Sequence, residues 1–353
     1  MANPSRVSVL HLVGSGVDEF HADLSRLYAR ACLDALADTD RYDVHLAYVS
    51  PDGSWRFPRD LSADALNSAT PLPISKAITH LRSLRVDVVV PQMFCRPGMT
   101  SYRRLLRALG LRYVGNPPEV MAIASNKVIA RAIVAEAGVA VPAGQVVEAG
   151  ERPSLQLPVV VKPVSADNSV GVSLVREAAE LGAAIELALG HGGAALVESY
   201  VELGREVRCG IVVRDEELVC LPLEEYAVDT TTKPIRGRDD KLRRTDGGDL
   251  YLVAKDTSHA WIVPTDDPIT AVVWEAARRC HRALGCRHYS LFDFRVDPDG
   301  KPWFLEAGLY CSFAPTSVIA VMAAASGVGV ADLFADQLRE VGLKGTPCLS
   351  SQP

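Results

Sequence analysis

The apolar positions in residues 1–118 alternate between two periods. Short β-branched runs are typical of buried strands, and longer stretches with an apolar residue every three or four positions are typical of amphipathic helices. The predicted strands are 7–13, 44–49 and 86–91, and the predicted helices are 19–37 and 102–109. This order predicts a parallel, Rossmann-like sheet. The turn Gly14-x-Gly16 lacks the third glycine of a dinucleotide-binding motif, so NAD binding is not inferred.

A second group of short strands follows in the middle of the chain. Residues 157–161 form a β-branched run that ends in Lys162, a small polar loop covers 164–171, and 172–175 predict the returning strand. Backbone N–H groups of such a loop can close over phosphates, while Lys162 adds positive charge. The loop is not a Walker A motif, because the G-x-x-x-x-G-K-[ST] pattern does not occur in the sequence. A plain hairpin is the alternative interpretation.

A further apolar strand is predicted at 194–201, and it contains Glu198, Tyr200 and Val201. Glu206 follows at the start of the next predicted strand. Two strands joined in this way make a hinge able to hold adenine. Backbone groups at the hinge would contact the purine edge, and a carboxylate would bind the ribose hydroxyls.

Residues 293–306 predict a β-hairpin around the turn 297–300, which reads Asp-Pro-Asp-Gly. Pairing across that turn places Asp293 opposite Glu306. Two carboxylates without Cys or His are suited to Mg²⁺, which binds a few protein oxygens together with water and substrate phosphates. The alternative is an exposed acidic hairpin without a metal.

Composition narrows the possible classes of protein. The chain has 353 residues, of which 48% are hydrophobic and 23% charged, enough for two or three domains with sizeable cores. The net charge of −6 argues against a general nucleic-acid binder, whose surface would be basic. The eight cysteines form no C-x-x-C pair and favour free thiols in a reducing cytoplasm. Residues 316–325 are apolar but too few to cross a bilayer, so no membrane association is expected.

Together, these segments resemble the ATP-grasp superfamily, and specifically ligases similar to D-alanine–D-alanine ligase. The resemblance covers about residues 7–338 and includes Ser125-Asn126-Lys127, the predicted helix 128–137 and the segment 138–142. In such ligases this succession leads into the nucleotide-binding half. The implied fold class is α/β and α+β, an ATP-grasp fold with an N-terminal Rossmann-like parallel-sheet domain.

The resemblance also implies a division into domains. The implied parts are an N-terminal Rossmann-like domain (1–118), a small central ATP-grasp lobe with the phosphate loop (119–200), a C-terminal ATP-grasp lobe (201–344) and a tail (345–353). Within the C-terminal lobe, the charged segment 229–264 would be a mobile lid and 293–306 the metal hairpin. ATP would lie between the two lobes.

The implied activity is that of an ADP-forming carboxylate–amine ligase, with ATP and Mg²⁺ as cofactors. A carboxylate attacks the γ-phosphate of ATP, and an amine captures the acylphosphate that results. The implied site residues are Lys127 and Lys162 for the α- and β-phosphates, Lys241 for the transferring phosphate, Glu198, Tyr200, Val201 and Glu206 for the nucleoside, and Asp293 and Glu306 for Mg²⁺.

Two positions beside the metal hairpin depart from the family pattern. The family has an Asn metal ligand two residues after the metal Glu, where this chain has Gly308. Either water fills that position or only one Mg²⁺ binds firmly. The family also has an Arg two residues before the metal Asp, where it stabilises the tetrahedral intermediate, and this chain has Leu291. Arg295 is expected on the same strand face as Asp293 and is the candidate replacement, with a structural salt bridge as the alternative.

The phosphate loop and the lid depart at the residues that orient the first substrate. The Ser of the family's phosphate-loop motif appears as Asn168, next to Ser169, and its Tyr partner in the lid appears as Leu242. The His-Gly pair that follows the fourth strand in D-alanine ligases is replaced by a segment that leads into Phe94. The substrate pocket is therefore expected to be rebuilt.

Two further residues match substrate positions of the family. Glu19, or its neighbour Asp18, matches the acidic residue at the start of the first helix. Ser317 aligns with the Ser that binds the carboxylate of the second substrate, although an N-terminal helix role for Ser317 is equally compatible with the sequence.

Three interpretations of the function remain. The first is an ADP-forming ligase acting on an amino acid or related acid, but not on D-alanine as both substrates. The second is an ATP-binding homologue without turnover, acting as a regulatory or partner subunit. The third is an ATP-grasp enzyme that uses an intramolecular or non-amine nucleophile. The expected partners are small molecules, with a homodimer as the assembly that the resemblance implies.

Overall fold

The computed structural model describes residues 6–166, 169–236, 242–244, 250–252 and 259–343. Its first sheet contains the predicted parallel strands. The strands are β1 (Val7–Gly14), β2 (Tyr42–Val49), β3 (Trp55–Arg56) and β4 (Val88–Pro91), in the order β3-β2-β1-β4. β1 pairs in parallel with both β2 and β4, so the predicted parallel sheet is confirmed. β3 adds an antiparallel edge strand that the apolar pattern did not predict.

Helices connect and cover the strands of this first sheet. They are α1 (Glu19–Ala35), α2 (Ala63–Ser68), α3 (Ile74–Leu84), α4 (Arg96–Met99) and α5 (Ser101–Ala108). Asp18 is the N-cap of α1 and its carboxylate accepts a hydrogen bond from the backbone N–H of His21. The start of α1 therefore agrees with the prediction, and its end lies two residues earlier.

The second sheet is small and antiparallel. Its strands are β5 (Gly144–Val147), β6 (Val159–Pro163), β7 (Ser173–Val175) and β8 (Ala195–Ser199), in the order β5-β8-β6-β7. α8 (Leu181–Gly192) packs on one face through Ala184, Ile185 and Ala188, which form a core with the valines of β6. The other face is left for polar side chains.

The third sheet is the largest and is also antiparallel. Its strands are β9 (Arg205–Arg214), β10 (Glu217–Cys220), β11 (Glu224–Tyr226), β14 (Ala260–Ile262), β15 (Tyr289–Val296) and β16 (Pro302–Gly308). The main order is β14-β11-β9-β15-β16, and β10 pairs with β9. A separate pair, β12 (Leu242–Arg244) and β13 (Leu250–Leu252), lies within the predicted lid segment 229–264. Mobility of that lid stays a prediction, and the predicted tail 345–353 lies outside the described residues.

The two faces of the third sheet differ in polarity because side chains alternate along each strand. One face is apolar and packs against α6 (Pro118–Ala124), α7 (Lys127–Glu136) and α9 (Pro268–Ala283). The opposite face carries charged residues on the central strands. α10 (Val318–Ala325) and α11 (Val330–Glu340) join this sheet to the first one, with the ring of Phe334 5.4 Å from that of Tyr42.

Within the described ranges, no single helix is both long and apolar enough to cross a membrane. The pair α10 and α11 meets the length and composition criteria only jointly, and the two helices are bent by 108°. All seven cysteines in the described part of the chain are free thiols. The three sheets fall inside the three predicted domain ranges, whose boundaries themselves stay predictions.

Residues 115–116 fasten the first sheet to β15. The Asn116 side chain donates to the carbonyl oxygens of Tyr289 (2.8 Å) and Leu309 (3.1 Å) and accepts from the backbone N–H of Arg287 (2.6 Å). The N–H of Gly115 donates to Nδ1 of His288 at 2.7 Å. Burial lowers the pKa of His288 to about 3, which keeps that nitrogen unprotonated and able to accept.

Replacing Asn116 with Ala is expected to lower the free energy of unfolding by about 2–4 kcal/mol, because three backbone groups, two of them buried, lose their partner. Urea unfolding would measure this as a lower midpoint with an unchanged slope. Asn67→Ala, on an exposed face of α2, is the matched control and should stay within about 0.5 kcal/mol of the wild type. Equal destabilisation by the two substitutions would contradict the fastening role of Asn116.

Candidate functional site

Lys162 is placed at the end of β6 by the small antiparallel sheet. Val160 lies opposite Glu198 on the neighbouring β8, so Lys162 and Glu198 point to the same face. The Nζ of Lys162 is 2.6 Å from Oε2 of Glu198 and donates to the carbonyl oxygen of Leu305 at 3.4 Å. Both charged side chains are buried, and the ion pair offsets part of their desolvation.

Lys127 occupies the first turn of α7. Asn126 is the N-cap of this helix, and its side-chain oxygen accepts from the N–H groups of Val128 and Ile129. The Nζ of Lys127 lies 3.5 Å from Oε2 of Glu306. The same amine donates to the carbonyl oxygen of Ala166 in the phosphate loop. Lys127 therefore joins the loop to the hairpin that carries Glu306.

Arg131 is a site residue that the sequence did not single out. It lies one helical turn after Lys127, so both side chains project from the same face of α7. Its Nε is 3.2 Å from Oε1 of Glu198. Glu198 is thus held by two cations, Arg131 and Lys162. The i, i+4 spacing from Lys127 was the available sequence signal.

The hinge residues lie where β8 leads into β9. The N–H of Tyr200 donates to the carbonyl oxygen of Pro158 at 3.0 Å, which continues the β6–β8 pairing. The carbonyl oxygen of Val201 accepts from Nη1 of Arg295 at 3.2 Å. The guanidinium of Arg295 also lies 5.2 Å from the centre of the Tyr200 ring. Adenine recognition by this hinge stays a prediction.

Arg295 is held at the hinge end of the site. Its Nη2 donates to Oε2 of Glu206 at 2.8 Å and to the carbonyl oxygen of Pro234 at 2.7 Å. Glu206 and Arg295 face each other across the β9–β15 pairing. The sequence had left two roles open for Arg295, and these contacts form the salt bridge named as the alternative.

Five of the six predicted cofactor residues, all except Tyr200, line one cleft. Lys127, Lys162, Glu198 and Glu306 lie along it, together with hinge residue Val201. Apolar side chains complete the lining and are contributed by Pro142, Val160, Val172 and Leu305. A cleft with apolar walls and convergent cations fits a molecule that carries an aromatic ring and several phosphates. The residues present therefore fit ATP.

The predicted pairing of Asp293 with Glu306 across the hairpin is confirmed by the β15–β16 register. The sequence did not point to a second neighbour of Asp293. Arg208 on β9 lies opposite Asp293, and its Nε and Nη2 donate to Oδ1 and Oδ2 at 2.5 and 2.9 Å. Nη1 of Arg236 is 3.6 Å from Oδ2 of Asp293. Arg208 follows Glu206 by two residues, so the period of the strand was the available signal.

The donor set fits one Mg²⁺ better than two. Glu306 lines the cleft and could hold a cation jointly with phosphate oxygens and water. Both carboxylate oxygens of Asp293 accept hydrogen bonds from Arg208, so Asp293 offers a free oxygen to a metal only if one of these bonds breaks. Among the described residues, no group of three or more His, Cys, Asp and Glu side chains is arranged to hold a metal. Metal binding by Asp293 stays a prediction.

A second polar cluster lies beside Arg208 and shares Arg236 with the cleft. Glu224 on β11 is paired opposite Arg208, and its carboxylate accepts from the hydroxyl of Tyr226. The guanidinium of Arg236 lies 3.4 Å from the centre of the Tyr226 ring. Burial raises the pKa of Tyr28 on α1 to about 12, and the charges of Arg208 and Glu224 act on it with opposite signs.

Tyr28 begins a row of aromatic rings between the first and third sheets. Its ring centre is 5.4 Å from that of Phe94, which is in turn 5.4 Å from that of Tyr310. These residues come from α1, from the segment after β4 and from the segment after β16. The wall they form lies where the resemblance predicts a rebuilt substrate pocket.

The remaining predicted residues lie elsewhere. Ser169 lines the cleft with a backbone φ of 56°, a left-handed conformation in the phosphate loop. Glu19 is exposed in the first turn of α1, and Ser317 is the buried N-cap of α10 without a side-chain capping hydrogen bond. Asn168 and Lys241 lie outside the described residues.

Comparisons with known proteins identify several related ligases. The family described as "D-ala D-ala ligase C-terminus" matches residues 136–339. The vancomycin B-type resistance protein VanB of Enterococcus faecalis is 27% identical, over 82% of this chain and 86% of its own. A D-alanine–D-alanine ligase of Anaeromyxobacter sp. (strain K) is 31% identical, over 75% and 83%. The crystal structure of the VanG D-Ala:D-Ser ligase of E. faecalis superposes with a TM-score of 0.76 at 22% identity, over 96% of this chain and 100% of that chain.

Replacing Lys162 with Ala is expected to weaken ATP binding by about 1.5–3 kcal/mol, because one charge-assisted phosphate contact is lost. Isothermal titration calorimetry with a non-hydrolysable ATP analogue would measure the change. Lys162→Arg should retain most of the affinity, and Lys76→Ala on the exposed surface of α3 should retain all of it. Unchanged affinity in Lys162→Ala would contradict the phosphate role.

Proposed function

Because this chain belongs to the D-alanine–D-alanine ligase family of ATP-grasp enzymes, which are ADP-forming ligases, we propose that it activates the carboxylate of an amino acid or related acid and joins it to an amine. The reaction would proceed through an acylphosphate. The observation that carries this proposal is the convergence of Lys127, Lys162 and Glu306 on one cleft. These groups neutralise and align phosphates, which is the main requirement for phosphoryl transfer.

Each group in the cleft has a task that its position supports. Lys162 and Lys127 would hold phosphate oxygens in exchange for their present carboxylate partners, Glu198 and Glu306. Glu206, fixed by Arg295, would bind ribose hydroxyls. The phosphate loop at Ser169 would cover the phosphates from above. Lys241, predicted to reach the transferring phosphate, belongs to the same proposal.

Mg²⁺ would be held at the hairpin by Glu306 and by phosphate oxygens, and would neutralise charge on the transferred group. The sequence assigned Asp293 to the same ion. That ligand requires Arg208 to release at least one of the two carboxylate oxygens it binds.

The substrates are proposed to differ from two molecules of D-alanine. The named activity of VanG, D-Ala:D-Ser ligation, supports variation of the second substrate among proteins of this fold. In this chain, Leu291 replaces an arginine of the family pattern, and Phe94 and Tyr310 add aromatic surface next to the Glu224–Tyr226 cluster. A pocket with aromatic walls would admit a larger or less polar side chain than a methyl group. A homodimer and a cytoplasmic location also stay predictions.

The proposed reaction would be tested by Mg²⁺-dependent ADP release from purified protein. L-, D- and β-amino acids would be supplied singly and in pairs, and product masses would identify the nucleophile. Release that requires one acid or one pair, with a condensed product, is the expected result. Release that is maximal with D-alanine alone would contradict the proposed substrates. Tight ATP binding without stimulated release would favour the homologue without turnover.

Glu306→Gln is expected to lower ADP release by at least about 10²-fold, because the neutral amide binds Mg²⁺ poorly while the shape of the side chain is kept. A steady-state assay would measure the loss, and thermal unfolding would verify that the fold is intact. Glu340→Gln, on α11 and away from the cleft, is the control and should retain full activity. Full turnover by Glu306→Gln would refute the metal role.

A further inference from the structure

The charged face of the third sheet contains a row of four residues on four adjacent strands. The row consists of Glu224, Arg208, Asp293 and Glu306. The pairings are Glu224 with Arg208, Arg208 with Asp293, and Asp293 with Glu306. Adjacent strands are about 4.8 Å apart, so each member lies beside the next. Arg208 is the single cation of this row, and it has a carboxylate on each side.

Arg208 binds Asp293 in the fork geometry that suits a guanidinium. Two nitrogens donate to the two carboxylate oxygens, at 2.5 and 2.9 Å. The side chains of Arg208 and Asp293 are only 13% and 10% exposed. A metal at Asp293 would therefore have only the remaining lone pairs of these two oxygens, directly beside the guanidinium charge.

Arg208 is also held by groups other than Asp293. Its guanidinium lies 5.3 Å from the centre of the Tyr226 ring, and the same ring carries Arg236 at 3.4 Å. An arginine guanidinium is not deprotonated in proteins, so Arg208 keeps its positive charge beside Asp293.

The neighbouring positions towards Leu291 and Gly308 supply no further oxygen ligand. Leu291 and Gly308 are paired with each other, one step along the strands from Asp293 and Glu306. Neither side chain carries oxygen. A divalent cation at Asp293 would meet Arg208 and Arg236 as like charges, with Arg236 only 3.6 Å from Oδ2.

We propose that the guanidinium of Arg208 stays bound to the carboxylate of Asp293 and takes the place of a second divalent cation. The nucleotide-bound protein then holds a single Mg²⁺ through Glu306. Asp293 is then the positioning residue for a guanidinium beside the phosphoryl-transfer site, and not a metal ligand. This inference rests on the proposed ATP-dependent function. It also explains how the chain can retain Asp293 while having glycine at 308.

The test counts bound Mn²⁺ by electron paramagnetic resonance, with a non-hydrolysable ATP analogue at saturation. The wild type is expected to bind one Mn²⁺ per chain. Gly308→Asn adds an oxygen ligand and is tolerated sterically, because a Cβ at Gly308 meets only Leu291, at 3.8 Å or more. This variant should still bind one Mn²⁺, because Arg208 remains on Asp293.

Replacing the cationic Arg208 in addition to Gly308 should open a second metal site. The double variant Arg208→Gln/Gly308→Asn is expected to bind two Mn²⁺, whereas Arg208→Lys/Gly308→Asn should bind one because the charge is kept. Calorimetric nucleotide affinity and thermal unfolding would verify that each variant is folded. Two Mn²⁺ in the wild type or in Gly308→Asn would overturn the proposal, and so would one Mn²⁺ in a folded Arg208→Gln/Gly308→Asn.

The metal count requires nucleotide binding but no turnover, so it distinguishes this inference from the proposed function. Single Mn²⁺ binding with no ADP release on any substrate would support the role of Arg208 and contradict ligase turnover. ADP release by a wild type that binds two Mn²⁺ would support the ligase and overturn the role of Arg208.

Discussion

The pairing of buried charges across neighbouring strands is the constraint on which the candidate site depends. A cleft that receives a polyphosphate requires several cations, and an isolated buried cation is strongly destabilising. In this protein each such cation has a carboxylate at close range before any ligand binds: Lys162 has Glu198, Arg295 has Glu206, and Arg208 has Asp293. Each of these three cations is therefore stabilised by a carboxylate of the protein itself, and a nucleotide would bind by exchanging partners with preorganised groups.

The same pairing divides the site into two ends. Glu206 with Arg295 fixes the end at the hinge, where Arg295 also binds the carbonyl oxygen of Val201. Arg208 with Asp293 fixes the opposite end, next to Glu224 and the aromatic row that starts at Tyr28. The two arginines lie on adjacent strands of one sheet, at different ends of the site. Family resemblance suggested Arg295 as the cation near the reacting groups, whereas the register places Arg208 beside Asp293.

Much of the fold was predictable because its signals are local. The period of apolar residues predicted the parallel strands of the first sheet, and the turn at residues 297–300 predicted the pairing of Asp293 with Glu306. Helix ends were less accurate: the predicted α1 begins at the observed residue but extends two residues past its observed end, because the last turn of a helix has no strong local signal here. Arg131 and Arg208 were missed even though each lies at a regular spacing from a predicted site residue. Their partners come from other strands, and no local pattern names them.

The sequence by itself determined the main strands of the first sheet, helix α1, the hairpin at 293–306 and the set of charged residue types, because backbone propensity, apolar period and turn chemistry act over a few neighbouring residues. Only the tertiary structure decided which charged side chains form ion pairs with each other. Arg208 and Asp293 are separated by 85 positions, and their bond exists because β9 and β15 pair in one particular register. A shift of that register by one residue would turn every side chain to the other face. The local sequence supplies the charged residues, and long-range strand pairing decides which partner each of them has.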